Sequence, residues 1–297
     1  MARRFPMYGG NMSEYVIMSD TGCDIAFETL RDWEVGFRGL TFHFEDGIEH
    51  PEGEMSMSEF YSRMRGGDVS KTSAVNSQNF KELFEEALKE GKDILYLGFS
   101  SGLSATCNSG MMAANELREE YPDRKIITID TLAASAGQGL IVYYAVEKKR
   151  SGADIEETAQ YVRDMIFKLA HWFTVDDLVY LKRGGRVSAA AAFAGGVLGI
   201  KPVLHVDDEG HLINMMKVRG REQSLKTIAK KYMETAQDPK GIYFISHGDC
   251  LDDAKLLESM IVAEGGSKCA LITYVGAIIG SHSGPGTIAL FFLANGR

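Results

Sequence analysis

Residues 93–117 read DILYLGFSSGLSATCNSGMMAANEL, an apolar run of strand length followed by a serine-rich loop and a helix-length segment. The apolar run covers residues 94–99, and the loop covers residues 100–104. A strand that ends in such a loop at a helix N-terminus collects hydroxyls and unpaired backbone N–H groups, which bind an anionic group at low cost. The alternative is an ordinary strand-to-helix turn whose serines only cap the helix.

The same order of strand, polar loop and helix recurs in the first half of the chain. Residues 15–18 and 125–129 are two further apolar strands, each followed by a loop of small or polar residues. The small residues in the segment 130–139 are predicted to let the following helix, 140–148, pack closely on the sheet. This recurrence predicts a parallel sheet with helices on both faces and its loops along one edge. The polar loop 19–24 marks the ligand side of such a sheet, unless its acidic residues only cap the following turn. Residues 71–76 are a second polar patch, which opens the predicted helix 79–89 with Ser77 as its candidate cap. Residues 35–44 are a further predicted strand, with a weaker pattern.

The pattern changes at residues 150–152, which precede a predicted amphipathic helix at 154–169, and we place the domain boundary in this region. Two strands around the turn Asp207-Asp208-Glu209-Gly210 form a hairpin signal, and further strands alternate with helices. The predicted fold class is therefore α/β with two domains: residues 13–165 with the parallel sheet, and residues 166–297 with a mixed sheet and helices. The apolar run 189–199 consists mostly of small residues, which would let a slender apolar ligand or another element approach closely. The alternative is that this run forms a tightly packed core helix.

Composition narrows the class of protein. The chain has 297 residues, of which 45% are hydrophobic, and this is enough to form two domains. A net charge of −9 argues against binding to nucleic acid or to an anionic membrane surface. The four cysteines are far apart, as expected of free thiols in a reducing cytosol. With no apolar run of about 18 residues and no secretory signal at the start, we expect a cytoplasmic protein without a membrane span.

The usual catalytic motifs are missing from the sequence. It contains neither a nucleotide-binding glycine motif nor a GxSxG or HExxH motif, and no metal-ligand spacing. Instead it offers hydroxyl-rich loops, one histidine in the predicted loop 280–286, a basic Lys182-Arg183…Arg186 motif and 14 methionines. Hydroxyl and histidine donors at the head of an apolar tunnel suit a monocarboxylate with a long tail. The sequence therefore favours a binding protein over an enzyme.

Taken together, the motifs resemble those of the DegV family of fatty-acid-binding proteins. The likeness runs over nearly the whole chain, and its pieces occur in the family's order. They are SDTGCDI (19–25), KTSAVNS (71–77), GFSSGLSATCNS (98–109), IDTLAASAGQG (129–139), YLKRGGRVS (180–188), GIKPVLHVDDEG (199–210), KVRGR (217–221) and HSGPGTIAL (282–290).

This resemblance implies two α/β domains with a long-chain fatty acid between them, its carboxylate near the interface and its acyl chain buried in the second domain. It implies a non-catalytic protein with no cofactor besides the bound fatty acid. Such proteins serve as the binding subunit of bacterial fatty acid kinase, presenting the carboxylate to a separate ATP-using subunit and carrying the acyl phosphate to phospholipid synthesis. Phosphoryl transfer needs ATP, Mg²⁺ and a phosphate cradle, and the absence of such motifs here fits a carrier.

By position, the resemblance also implies the site residues. Two pairs of hydroxyl residues, Thr72 or Ser73 and Ser100 or Ser101, each supply one hydroxyl that binds the carboxylate, and His282 lies close by. Arg183 and Arg186 match the family's basic motif. Arg186 is assigned to the ligand, and Arg183 is assigned to the surface that faces the kinase. The sequence departs from the family at residues 21–22, which read Thr-Gly in place of Ser-Thr, and at residues 74–76, where Ala-Val-Asn replaces Gln-Pro-Ser and leaves the loop less constrained. Ser283 stands where threonine is usual.

Two alternatives remain open at this point. The first is a stand-alone hydrolase acting on acyl esters through Ser100 or Ser101 with His282. The second is a protein that binds some other small anion.

Overall fold

Two large β-sheets and a small one form the framework of the chain. The computed structural model describes residues 14–187 and 199–297. The elements before residue 168 are β1 (Tyr15–Asp20), α1 (Phe27–Asp32), β2 (Val35–Arg38), β3 (Thr41–His43), β4 (Glu49–Pro51), α2 (Met57–Arg65), β5 (Lys71–Ser73), α3 (Ser77–Lys89), β6 (Asp93–Gly98), α4 (Thr106–Glu120), β7 (Ile126–Asp130), α5 (Ala136–Arg150) and α6 (Ile155–Ile166). The later elements are β8 (Leu169–Thr174), α7 (Val179–Arg183), β9 (Ile200–Val206), β10 (Leu212–Arg219), α8 (Arg221–Thr235), β11 (Tyr243–His247), α9 (Leu251–Ala263), β12 (Leu271–Tyr274), α10 (Ala277–Ser283) and β13 (Ile288–Leu293).

The first sheet has the strand order β2-β1-β6-β7, and all its strands are parallel. Its central strand β6 is buried throughout, as in a sheet covered on both faces. Leu95 and Leu97 pack on the side of α5 and α6, whereas Ile94 and Tyr96 pack on the side of α3 and α4. The predicted parallel sheet with helices on both faces is confirmed.

The second sheet is mixed and has the order β10-β9-β8-β13-β11-β12. Strands β11 and β12 are parallel, and the other neighbours are antiparallel. The predicted hairpin 201–218 is confirmed as β9 and β10. Helices α8 and α9 cover one face of this sheet, and α5 packs against the other.

Helix α5 is thus shared by both large sheets, and small residues let it approach them closely. A Cβ atom at Gly137 would stand 2.7 Å from His171 Nε2 and from Phe291 Cδ1, so the helix backbone touches the second sheet there. A Cβ at Gly139 would overlap Ile25 in the loop after β1. The prediction that small residues in the segment 130–139 serve close packing is confirmed at these two positions.

Three local predictions were wrong. The single strand predicted at 35–44 splits into β2, in the first sheet, and β3, which joins β4 and β5 in the small antiparallel sheet. The polar patch 71–76 contributes β5 to that sheet, and Asn76 rather than Ser77 caps α3. The loop predicted at 280–286 begins as α10, because Ala277 and Ile278 anchor this helix in the core despite its glycine and serines.

One interpretation from the sequence concerns residues that are not described. The small apolar run 189–199 lies outside the described residues except for Gly199. Among the residues that are described, none of the helices has the length and apolar character needed to cross a bilayer.

Candidate functional site

A cavity of about 320 Å³ lies between the two large sheets. Its wall on the side of the first sheet comes from the segments that follow three parallel strands: Leu40 after β2, Phe99 and Leu103 after β6, and Ala134 after β7. The carboxyl ends of parallel strands are where open α/β sheets bind ligands. The first sheet therefore presents its ligand side to the cavity.

The second sheet and α10 supply the rest of the apolar wall. Phe173 on β8 and the neighbouring Ala289 and Phe291 on β13 share one face of the sheet. Ile278 and Ile279 of α10 face the same space. A cavity with such a lining excludes water and takes an apolar ligand, and a few polar groups then fix the ligand's orientation.

At one end the cavity adjoins a second hollow, of about 260 Å³, which is polar and basic. Thr72, Arg186 and His282 line both spaces, while Lys71 and Arg183 line only the basic hollow. Thr72 Oγ1 and His282 Nε2 form a hydrogen bond of 2.8 Å that joins β5 to α10. The three shared residues are therefore the polar mouth of the cavity, and we use this name for them below.

The backbone around α7 and the loop after β6 holds the polar mouth in place. Arg186 donates from Nε to Leu103 O at 3.2 Å, and its guanidinium also donates to Gly184 O. A Cβ atom at Gly184 would overlap the ring of His282, so a glycine is required beside the imidazole. The arginine, the loop and the histidine are consequently fixed relative to one another.

The polar mouth combines a cation with neutral donors. Burial lowers the pKa of His282 to about 4, and the positive charge of Arg186 acts in the same direction. The imidazole is therefore neutral at physiological pH. Its buried Nδ1 and the hydroxyl of Ser283 have no hydrogen-bond partner within the described part of the chain. A guanidinium beside unused polar groups can hold a carboxylate.

The structure does not bring all the sequence-predicted hydroxyls to this mouth. Ser73 is exposed, and Ser101 is exposed with its backbone N–H directed at Asp130. Ser100 is fully buried, and its hydroxyl donates to Gly210 O at 2.9 Å. A contact between Ser100 and a ligand would require this bond to break. Whether any of the three touches a ligand stays a prediction.

The hydrolase alternative gains no geometric support. Within residues 14–187 and 199–297, His282 forms its hydrogen bond with Thr72, and neither Ser100 nor Ser101 bonds to the imidazole. A serine nucleophile needs its base within hydrogen-bond reach.

Sequence reasoning missed several polar residues of the cavity. Ser104 lines it from the serine-rich loop, and Ser283 and Thr287 line it from the motif around His282. Their motifs were noted, but only the folded loop shows which hydroxyl faces inward. His171 and Ser246 also line the cavity, on β8 and β11. They lie in apolar strands, and nothing in the sequence distinguishes them from core positions.

The fold and the site together define an α/β protein of two large sheets that encloses an apolar cavity with a basic, hydroxyl-bearing mouth. The family model described as "Uncharacterised protein, DegV family" matches residues 14–295, and the chain belongs to the DegV family.

Similar proteins agree with this assignment. A DegV domain-containing protein of Clostridium perfringens is 43% identical over 287 residues, covering 96% of this chain and 99% of the relative. The structure of a DegV family protein from Thermus thermophilus, described by its fatty acid binding, matches with a TM-score of 0.86 at 29% identity, covering 95% and 99%. That of a stearic-acid-binding protein from Eubacterium ventriosum matches with 0.84 at 26% identity, covering 94% and 98%.

Proposed function

We propose that this protein binds one long-chain fatty acid, with the carboxylate in the polar mouth and the acyl tail in the apolar cavity. The observation that carries the proposal is the junction of the two spaces at Thr72, His282 and Arg186. The fatty acid binding described for the Thermus thermophilus and Eubacterium ventriosum relatives supports it.

The polar mouth and the apolar cavity contribute to the binding free energy in different ways. A carboxylate moved into an apolar interior without partners carries a prohibitive desolvation penalty. Charge-assisted hydrogen bonds each recover about 1.5–3 kcal/mol, so the polar mouth offsets this penalty and fixes the ligand's direction. Each buried methylene group contributes about 0.8 kcal/mol before entropy costs. The tail therefore supplies most of the affinity.

We further propose that the protein is a carrier without catalytic activity of its own. A separate kinase subunit would transfer the γ-phosphoryl group of ATP to the bound carboxylate, giving ADP and an acyl phosphate that this chain carries to phospholipid synthesis. Because such a kinase would draw on cellular ATP, we propose that the protein acts in the cytoplasm. Arg183 is exposed at the rim of the basic hollow, where an acidic face of the kinase could meet it.

We also propose the domain limits 13–165 and 166–297, with the carboxylate near the interface between the two domains. Helix α6 ends at Ile166 and packs on α5 and the first sheet, and β8 begins the second sheet at Leu169.

Titration of delipidated protein with palmitate or oleate tests the binding function. We expect saturable uptake of one molecule per chain. A protein that takes up neither fatty acid in a saturable way would refute the proposal.

The carrier role needs a separate test with an ATP-dependent fatty acid kinase subunit. Arg183→Glu should lower the rate of acyl phosphate formation while the protein retains its lipid, whereas Arg31→Glu, at an exposed arginine on α1, should change neither. An unchanged rate in Arg183→Glu would count against docking at this surface.

A further inference from the structure

One side chain on the cavity wall does not fit a purely apolar tail. His171 lies on β8, on the same face as Phe173, and lines the cavity. It is 1% exposed, its ring stands edge-on to Phe291 with centroids 5.5 Å apart, and its Nε2 faces the backbone of α5 at Gly137. The imidazole is thus enclosed by the apolar wall.

Neither ring nitrogen of His171 has a hydrogen-bond partner of normal geometry in the described residues. A neutral imidazole carries one donor and one acceptor, and leaving either one buried and unused is unfavourable. Burial lowers the pKa of His171 well below its usual range, as do the charge of Arg297 and the ring of His205, and the backbone of Leu169 opposes the shift only weakly. The ring is therefore neutral, and suits a neutral polar group rather than a second carboxylate.

The strand register places His171 away from the polar mouth. His171 pairs with Phe291 on β13, and Thr287 lies just before the first residue of that strand. Thr287 lies beside the polar mouth, because its hydroxyl donates to the carbonyl of Ser283, the residue after His282, at 3.1 Å. The four residue-to-residue steps from Thr287 to Phe291 span about 13 Å at the usual rise of a strand. A ligand held by its carboxylate at the mouth would reach His171 with the interior of its tail.

We propose that His171 is a specificity site for fatty acids that carry a hydroxyl or keto oxygen in the interior of the acyl chain. This inference rests on the proposed function and adds the ligand class. A hydroxyl group can donate to the free acceptor of the imidazole or accept from its N–H, and a keto oxygen can accept from the N–H. Binding sites built around a buried polar group discriminate against ligands that leave it unpaired.

The test compares stearate with a panel of monohydroxystearates in which the hydroxyl moves along the chain, using delipidated wild-type protein. We expect hydroxyl positions in the chain interior to bind about tenfold more tightly than stearate, as one recovered hydrogen bond allows. Oleate serves as a bent ligand without a polar group, and should gain no such advantage.

Variants locate the effect. In His171→Leu, the ratio of the stearate dissociation constant to the hydroxystearate dissociation constant should fall to about one. In His171→Gln, which keeps a donor and an acceptor, the ratio should lie between one and the wild-type value. Leu290→Met, an apolar change on the face of β13 that points away from the cavity, should leave the ratio intact. Circular dichroism checks that each variant is folded.

Several outcomes would overturn the inference. Wild-type protein that binds stearate as tightly as every hydroxystearate would show that the imidazole is satisfied without a polar tail, for example by water. A preference that persists in His171→Leu would place its cause elsewhere. If stearate binds and no preference is found, only this inference fails, whereas failure of every fatty acid to bind would refute the proposed function as well.

Discussion

The hydroxyl of Thr72 joins the two halves of the chain and lines both the apolar cavity and the basic hollow. Its partner His282 is neutral, so the pair can reorganise around a carboxylate without first losing a proton. The next residue on the strand, Ser73, is exposed and lines neither space. Strand alternation therefore separates two hydroxyls that look equivalent in the sequence.

We expect Thr72→Val, which keeps the shape and removes the hydroxyl, to weaken palmitate binding about tenfold or more. The lost bond to a carboxylate corresponds to about 1.5–3 kcal/mol. Ser73→Ala is the matched control and should bind as the wild type does. Calorimetric titration measures both, and equal affinities for Thr72→Val and wild type would remove Thr72 from the site.

Residue types at the site could be predicted, but their directions could not. The family resemblance implied Arg186, His282 and either Thr72 or Ser73, and the fold brings Thr72, Arg186 and His282 to one mouth. The hydroxyl of Ser100 instead donates to Gly210, which lies 110 residues away in the sequence. This long-range contact forms because the β9–β10 hairpin packs against the serine-rich loop. No local sequence pattern predicts that packing.

At the scale of elements, α5 decides how close the two large sheets can come. It contacts β1 and β6 of the first sheet, and β8, β11 and β13 of the second. Its first turn approaches the cavity wall at Gly137, where no side chain fits between the helix and the ring of Phe291. The width of the cavity at His171 therefore depends on this glycine.

We expect Gly137→Ala to destabilise the protein by about 1–2 kcal/mol. Overpacking of a tight contact costs about 1–3 kcal/mol, and the better helix propensity of alanine returns at most about 1 kcal/mol. Gly39→Ala is the control, because its new Cβ would meet only Thr21 Cγ2 at 3.9 Å. Urea unfolding checks both, and a Gly137→Ala variant as stable as wild type would contradict the close approach.

The elements that sequence patterns missed are those whose formation depends on distant partners. Strand β3 is three residues long and exists by pairing with β4 and β5. Helix α10 has weak intrinsic propensity, and Tyr61 in α2 donates to Val275 O just before its start at 2.7 Å. The long buried strand β6 and the charged, amphipathic helix α6 carry their signals locally, and both were predicted.

At the scale of the whole molecule, buried polar contacts join the two halves around the cavity. Ser70 and Ser281 are 2.6 Å apart, and Ser135 and Ser246 are 3.0 Å apart. Asp24 in the loop after β1 and Glu52 in the turn after β4 both lie against Gly276 at the start of α10. Burial raises the pKa of Asp24 well above its usual range, and the charge of Glu52 raises it further.

This carboxyl pair predicts a pH-dependent stability. Burial raises the pKa of Glu52 to about 7 although the residue as a whole is only half-buried. An acid whose folded-state pKa is raised holds its proton longer in the folded state, so its stabilising effect is complete at low pH. That effect is lost as the pH rises from about 4.5 to about 7.

We expect Glu52→Gln to match wild type at about pH 5 and to exceed its unfolding free energy by on the order of 2 kcal/mol at about pH 8. Glu45→Gln, at an exposed position in the preceding loop, should show no such trend. Urea unfolding at both pH values gives the comparison. A constant difference between Glu52→Gln and wild type would show that Glu52 does not retain a proton in the folded state.

The architecture was the most predictable level, because recurring strand–loop–helix units and a hairpin signal determine the two kinds of sheet. The position of the cavity was less predictable, since it depends on how the sheets pack through α5. The basic hollow beside the mouth needed Lys71 to meet the Arg183…Arg186 motif, which lies more than a hundred residues further along the chain. The order of charges along the chain does not predict that these side chains come together.

Mass spectrometry of the purified protein, in the native state and after solvent extraction, tests the central claim most directly. The account predicts one long-chain fatty acid per chain in the native spectrum, and its loss on extraction. A native mass equal to that of the bare chain, unchanged after incubation with palmitate or oleate, would contradict it.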